Sequence, residues 1–401
     1  MNEKPTAKGR GVASQSSAVH RTDVTPLFQP FSIRGLNLRN RFVMPSMQRG
    51  WAVNGHPPRK LGEYYAARVR GGVQLVISES IAIDHPSATR TSKYGRLAED
   101  TVDEWARCVE AVHQAGGHIF LQIGHEGALR ADTGDDSYAI HPTLSPSGLR
   151  SAGVAVGRAA TAADLKSIRD AFVSAARLAR RIGVDGIEIP ACHGYLLDQF
   201  LWAETNHRDD EYGGPGIADR LRYPVEIVRS VRAEVGAEFP ISLRFSQWKI
   251  PDQEARVFNS PEELGIMLNG FQEAGADLLH ASSRRFWQPE WPTSSLSLAG
   301  WTKRLSGAPV IAVGSVGLDV DMFDTFHGKE GHKDLGGNID ELLRGFNAGE
   351  FDLVAVGRST LADPDWVAKL RDGRGDEVHS FTIGDLGEIK AEAAAAGALS
   401  T

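Results

Sequence analysis

Eight short β-branched runs, each separated from the next by a stretch of helical periodicity, restrict this chain more than any other feature. They fall at 41–46, 74–80, 118–123, 185–190, 240–246, 276–281, 309–314 and 351–357. Several are apolar almost throughout, as in Leu75-Val76-Ile77-Ser78 and Leu353-Val354-Ala355-Val356. Parallel strands buried on both faces read this way. Strict alternation of strand and helix leaves a closed barrel or an open doubly wound sheet. A count of eight units, with no G-x-G-x-x-G after the first run, selects the α/β class and a single (β/α)8 barrel.

The intervening helices carry their own punctuation. Thr161 precedes a periodic segment that runs to Ile182 and stops at Gly183, and Ser260-Pro261-Glu262-Glu263 offers an N-cap, a first-turn proline and first-turn acids. Glycines at 71–72, 116–117, 183, 275 and 349 stand just before strand runs, where a left-handed C-cap turns a helix back into a strand. The expected organisation is a disordered leader over 1–22, one barrel over 23–375 and a C-terminal tail over 376–401. The leader lacks the apolar core of a secretory signal, and the Ala-rich stretch 391–399 has helical propensity without an amphipathic face.

Composition narrows the partners. A formal charge of −7 over 401 residues gives neither a basic field for nucleic acid nor a polybasic membrane anchor. No apolar run approaches the roughly 18 residues that span a bilayer. A small-molecule partner is expected. The two cysteines, Cys108 and Cys192, form neither a disulfide framework nor a C-x-x-C pair for zinc or an iron–sulfur cluster, so no metal is expected and a reducing, cytoplasmic setting fits.

In a (β/α)8 barrel the chemistry sits at the C-terminal ends of the strands, and the loops after the seventh and eighth strands commonly hold phosphate. Those loops read Gly314-Ser315-Val316-Gly317 and Gly357-Arg358-Ser359. Glycine lets backbone amides approach an anion and Arg358 adds charge, so a bound phosphate is expected in preference to plain tight turns with a surface salt bridge. Gln122, His193, Tyr195, Arg244, His280, Arg284 and Arg285 crowd the other strand ends. An arginine inside a strand, as Arg244 is, is costly to bury unless an anion, a carbonyl system or a core carboxylate meets it. His113 reads as an ordinary helical histidine.

Several motifs follow one another in order. They are Leu27-Phe28-Gln29-Pro30, Leu38-Arg39-Asn40-Arg41-Phe42-Val43-Met44, Tyr64-Tyr65-Ala66-Ala67-Arg68 with Gly71-Gly72, and Leu121-Gln122-Ile123-Gly124-His125-Glu126-Gly127. The most specific is His193-Gly194-Tyr195-Leu196-Leu197-Asp198-Gln199-Phe200-Leu201, continuing through Thr205-Asn206, Arg208 and Asp210-Glu211-Tyr212-Gly213-Gly214. From about Thr25 to Leu370 the chain resembles the old yellow enzyme (NADH:flavin oxidoreductase) family.

That resemblance implies a noncovalent FMN across the top of the barrel, with NADH or NADPH as reductant. It places Ser46, Met47, Gln48 and Ser80 at the flavin ring, Gln122 at its pyrimidine edge and Arg244 at the N1/O2 side. Gly314, Ser315, Gly357 and Arg358 hold the phosphate, and Tyr195 is the proton donor. The implied activity is ping-pong reduction of an α,β-unsaturated carbonyl compound. The family binds the substrate carbonyl with a pair of donors spaced H-x-x-H or H-x-x-N, but here the stretch reads Pro190-Ala191-Cys192-His193, so His193 stands without the first donor. His125 or Trp248 is the expected substitute. The clustered aromatics Trp248, Phe286, Trp287 and Trp291 are expected to wall a flat substrate pocket. The missing donor keeps open an oxidative reaction on an amine or saturated carbonyl compound, and a barrel that binds a phosphorylated ligand without redox chemistry is a third possibility.

Overall fold

The computed structural model describes residues 22–132, 141–329 and 332–387. Residues 1–21 of the expected leader and 388–401 of the expected tail lie outside the described residues. Eight parallel strands close into a barrel: β1 (Phe42–Met44), β2 (Leu75–Ile83), β3 (His118–Gly124), β4 (Gly186–His193), β5 (Ile241–Lys249), β6 (Leu278–Ser282), β7 (Val310–Val313) and β8 (Leu353–Ala355). The hydrogen-bonded order is β1-β8-β7-β6-β5-β4-β3-β2, and β2 pairs back onto β1. Each expected run became one of these strands. β2, β4 and β5 overshoot their expected ends by three residues, because pairing resumes past an irregularity in each case, between Ile77 and Ser80 where β2 meets β3 and between Ala191 and His193 where β4 meets β5. The overshoot carries His193, Trp248 and Lys249 above the rim.

Helix boundaries follow the local chemistry. The Thr161 side chain accepts from Asp164 N and the Asp164 side chain answers in a capping box ahead of the helix Ala162–Arg181. Ser260 likewise caps the helix Pro261–Ala274. Gly72 (φ 110°), Gly116 (φ 84°), Gly183 (φ 80°), Gly275 (φ 108°) and Gly349 (φ 72°) all adopt positive φ where helix turns to strand. His113 Nε2 meets Asp185 Oδ2 at 2.8 Å on the barrel's outside, as an ordinary helical histidine does. Among the described residues no helix is long and apolar enough to cross a membrane.

The barrel is dry below and polar above. Val43, Leu75, Ile77, Phe120, Leu278 and Ile311 fill its lower interior, and an N-terminal hairpin (Phe31–Ile33 with Leu36–Leu38) plugs the bottom with Ile33, Leu36 and Leu38. A larger apolar layer joins the strands to the surrounding helices. The expected boundary at 375 falls short of the packing. Phe381 is buried against Leu318 and Leu361, and Lys333 Nζ donates to the carbonyls of Gly375, Asp376 and Val378. Burial of Phe381 draws this segment onto the barrel mouth.

Candidate active site

The polar residues of the mouth form one hydrogen-bonded layer. Parallel register sets Gln122 of β3, Glu188 of β4 and Ser242 of β5 side by side. Glu188 is fully buried, and Gln122 Nε2 donates to its Oε1 (2.8 Å) while Ser242 Oγ (2.9 Å) and His280 Nδ1 (2.7 Å) reach its Oε2. Burial pushes the Glu188 carboxyl up, but His280, Arg244 and the Gln122 amide outweigh it and the net shift is downward. Burial also pulls His280 down, so the pair is a carboxylate accepting from a neutral imidazole. Ser46 Oγ, in the loop after β1, completes the layer by donating to Gln122 Oε1 (3.0 Å).

Arg244 sits two residues beyond Ser242 on the same face of β5. Its guanidinium donates to Ser46 O (3.4 Å) and Ser282 Oγ (3.2 Å), and its buried Nε has no partner. Among the described residues no carboxylate is in salt-bridge contact with it, so the internal ion pair does not form. An unanswered buried donor costs about 1–3 kcal/mol, which a ligand acceptor removes.

The turn after β4 is held in left-handed backbone, with φ 61° at His193 and 89° at Gly194. A side chain rarely adopts this conformation unless its surroundings over-determine it. Here they do: His193 N donates to Ser246 Oγ (2.9 Å), Ile250 N donates to His193 O (3.0 Å), and Gly194 N donates to Asp198 Oδ2 (2.6 Å). The His193 ring stacks on Trp248 (4.1 Å between centroids, 21° between planes), and its Nε2 is 2.9 Å from Ser282 Oγ. Burial, then Arg244 and Lys249, hold His193 well below the usual histidine range, so it is neutral. Tyr195 follows, its hydroxyl without a hydrogen-bond partner among the described residues. Burial pushes that phenol up to about 12, against the pull of Arg90, so it is protonated at neutral pH.

A cavity of about 380 Å³ opens over this layer. Ser46, Met47 and Gln48 enter it after β1, Ser80 from β2 and Gln122 from β3. His193 and Tyr195 follow from the β4 turn, then Arg244 and Trp248 from β5. Gly314 and Ser315 after β7, with Gly357 and Arg358 after β8, close one end. A Cβ on Gly314 would lie 2.6 Å from Ser283 O, so only glycine fits there. Arg358 donates to Thr325 Oγ1 (2.9 Å), Ser315 Oγ (2.9 Å) and Val320 O (2.6 Å). Burial lowers it to about 10, leaving it cationic at neutral pH. Among the described residues no carboxylate forms a salt bridge with it, so its charge is left for the cavity.

Residues 26–335 match the sequence profile of the NADH:flavin oxidoreductase / NADH oxidase family. The chain belongs to that family. Its members are the FMN-dependent oxidoreductases related to old yellow enzyme. NADH oxidase of Thermoanaerobacter brockii is 34% identical over 376 residues, covering 90% of this chain and 53% of the relative. The chain thus spans about half the length of that protein. 12-Oxophytodienoate reductase 7 of Oryza sativa subsp. japonica is 30% identical over 370 residues, covering 88% of this chain and 89% of the relative. The old yellow enzyme homologue from Zymomonas mobilis shares the fold, with a TM-score of 0.72 at 23% identity over 90% of this chain and 96% of that one.

Two of the residues expected to bind the substrate, His125 as a substitute donor and Trp287 among the clustered aromatics, lie outside the main cavity. His125 faces a side niche of about 30 Å³ that Pro190, Gln48 and Tyr195 also line. Both its nitrogens are engaged, Nδ1 by Gly127 N (2.9 Å) and Nε2 by Ser87 Oγ (2.9 Å). Trp287 does not reach the cavity. Phe286 N donates to Gly314 O (3.1 Å), which turns the chain outward after Arg284, and the Trp287 ring packs edge-on against Phe286 (5.0 Å, 80°). Trp291 packs on Trp301 instead. Sequence reasoning missed Glu188, although a lone acid between Ile187 and Ile189 in an apolar run is a legible signal. It also missed Arg90, Phe323, Phe381 and Leu386, cavity residues contributed by a loop, by the short helix Met322–Phe326 and by the C-terminal segment.

Proposed function

We propose that this chain is an NAD(P)H-dependent ene-reductase that binds FMN noncovalently across the barrel mouth and reduces α,β-unsaturated carbonyl compounds. The charge of the cavity carries this reading. Arg244 and Arg358 reach its wall with no carboxylate in salt-bridge contact among the described residues, Arg90 and Arg284 reach it already paired with Glu126 and Asp321, and among the described residues no aspartate or glutamate lines the cavity itself. Such a wall suits a phosphate and an oxyanion developing on a carbonyl, and it disfavours an ammonium.

The residues fit FMN. The volume of about 380 Å³ lies within the roughly 300–1,000 Å³ of small-molecule sites. The unpartnered Arg244 Nε supplies a donor for a ring carbonyl, and Gly314, Ser315, Gly357 and Arg358 form a cationic cradle for phosphate. Ser46, Met47, Gln48 and Ser80 would border the ring, with Gln122 at its pyrimidine edge. When bound, FMN supplies two-electron hydride transfer between nicotinamide and substrate.

Tyr195, protonated at neutral pH, gives its phenolic proton to Cα of the alkene and regains one from solvent. Hydride arrives at Cβ, so one π bond is lost, two C–H bonds form, and NAD(P)H is oxidised. His193 is held rigidly by Trp248 and Ser282, with its Nδ1 left to face the substrate carbonyl.

Pro190, which offers no donor, favours a second reading in which the same site acts oxidatively on a saturated carbonyl compound or an amine. The amine branch runs against the cationic wall. Anaerobic stopped-flow of the flavin absorbance separates the readings. Bleaching by NADH or NADPH, then recovery on adding cyclic enones, is expected. A yellow protein that neither nucleotide bleaches would turn the assignment to the oxidative reaction. A colourless protein would leave a barrel that binds a phosphorylated ligand.

A further inference from the structure

We infer that Gln48 supplies the hydrogen-bond donor for the substrate carbonyl that Pro190 cannot. The inference rests on the ene-reductase reading and names how that site holds its substrate. An enone being reduced gathers negative charge on its carbonyl oxygen, and donors aimed at that oxygen stabilise it. The oxygen belongs beside Tyr195, because the Tyr195 proton goes to the carbon next to the carbonyl.

The residues expected to hold or replace the donor pair can be taken in turn. Pro190 has none. His125 is neutral, and both its ring nitrogens are engaged by Gly127 N and Ser87 Oγ, each at 2.9 Å. The Trp248 indole N–H already donates to Ser282 O (3.2 Å). His193 has spent Nε2 on Ser282, leaving one ring nitrogen.

Gln48 differs from all of these. Its Nε2 is buried and makes no hydrogen bond, and its side chain lines both the main cavity and the niche shared by Pro190 and Tyr195. Thr89 Oγ1, in the same niche, is also buried without a partner. Two unanswered polar groups converging on one small space mark where a polar ligand atom belongs. With its NH2 end turned to the ligand, as the unpartnered Nε2 allows, the Gln48 carboxamide supplies a donor. Gln48 and the free nitrogen of His193 then form the carbonyl clamp, drawn from β1 and β4 rather than from β4 alone.

The test compares wild type, Gln48→Met and Gln48→Leu, all loaded with FMN. Titration with 4-hydroxybenzaldehyde, whose phenolic oxygen mimics the enolate oxygen, is followed by its perturbation of the visible flavin spectrum. The same proteins are examined for flavin reduction potential and for both half-reactions. Both variants are expected to weaken phenol binding about tenfold or more and to slow flavin reoxidation by enone. Because Gln48 also borders the flavin, the potential and the NADH half-reaction are read beside these, and the losses in phenol affinity and in reoxidation by enone should exceed any change in either. Unchanged phenol binding in either FMN-loaded variant overturns the inference, and so does a shifted potential with phenol affinity intact, which would confine Gln48 to the flavin. Should Gln48→Met fail to hold FMN, Gln48→Leu, uncharged and with no amide donor, decides alone. A wild type that binds the phenol but is not reoxidised by enones defeats the ene-reductase reading while leaving the binding comparison intact. A wild type that does not bind the phenol overturns the inference itself.

Discussion

Lys249 Nζ donates to Asp198 Oδ1 at 2.8 Å, and neither side chain has any exposure. The other Asp198 oxygen accepts from Gly194 N (2.6 Å), and Lys249 also donates to Ser246 O (3.1 Å). One ion pair thus ties the end of β5 to the left-handed turn that carries His193 and Tyr195. Burial pushes Asp198 up to about 6 and pulls Lys249 down, so the charges persist because each answers the other.

Breaking that pair strands a buried carboxylate. Lys249→Met should lower the unfolding free energy by about 3–5 kcal/mol in urea titrations at pH 7.5, and adding Asp198→Asn in the same chain should recover most of the loss. A single variant as stable as wild type would mean that the pair holds nothing.

Tyr195→Phe keeps the ring and removes the proton. Flavin reduction by NAD(P)H should be nearly unaffected, while alkene-dependent reoxidation slows roughly 10²–10⁴-fold in single-turnover traces. Equal slowing of both half-reactions would remove Tyr195 from the donor role.

Arg358→Ala should act through phosphate alone. Its charge is unpaired by carboxylates among the described residues and faces the cavity, so FMN affinity should fall about 10- to 100-fold, while riboflavin affinity stays the same. Fluorescence quenching of the two flavins gives both constants. A parallel loss for riboflavin would move Arg358 away from the phosphate.

Glu79 predicts a pH dependence. It is fully buried, its Oε2 accepts from Arg49 N (2.8 Å), and its Oε1 has no partner. Burial pushes it up to about 7 from 4.5, against the pull of the Arg49 and Gly50 amides. A carboxyl whose folded value is raised contributes stability below its unfolded value and loses it as pH rises through the folded one. Glu79→Gln cannot ionise. It should match wild type near pH 4 and exceed it at pH 8 by on the order of 3 kcal/mol, as read by urea unfolding at the two pH values. No difference at pH 8 would show that Glu79 ionises freely.

By itself the sequence determined what depends on neighbours along the chain. Strand runs, capping residues such as Thr161 and Ser260, and the glycine turns at 72 and 275 follow from backbone preference and the period of burial, so the barrel was legible. The glycine-rich loops after β7 and β8 were legible for the same reason. Tertiary structure alone decided which donors meet which acceptors. Gln122 and Glu188 stand 66 positions apart and meet because parallel register aligns them, and Glu188 then takes one of the two Gln122 amide hydrogens. Trp287, adjacent in sequence to other aromatics, packs on Phe286 and not in the cavity, while Phe381 entered it from the far end of the chain. Hydrogen bonds saturate: an atom already engaged, such as either nitrogen of His125, is lost to the ligand, and that allocation is settled only when distant segments pack together.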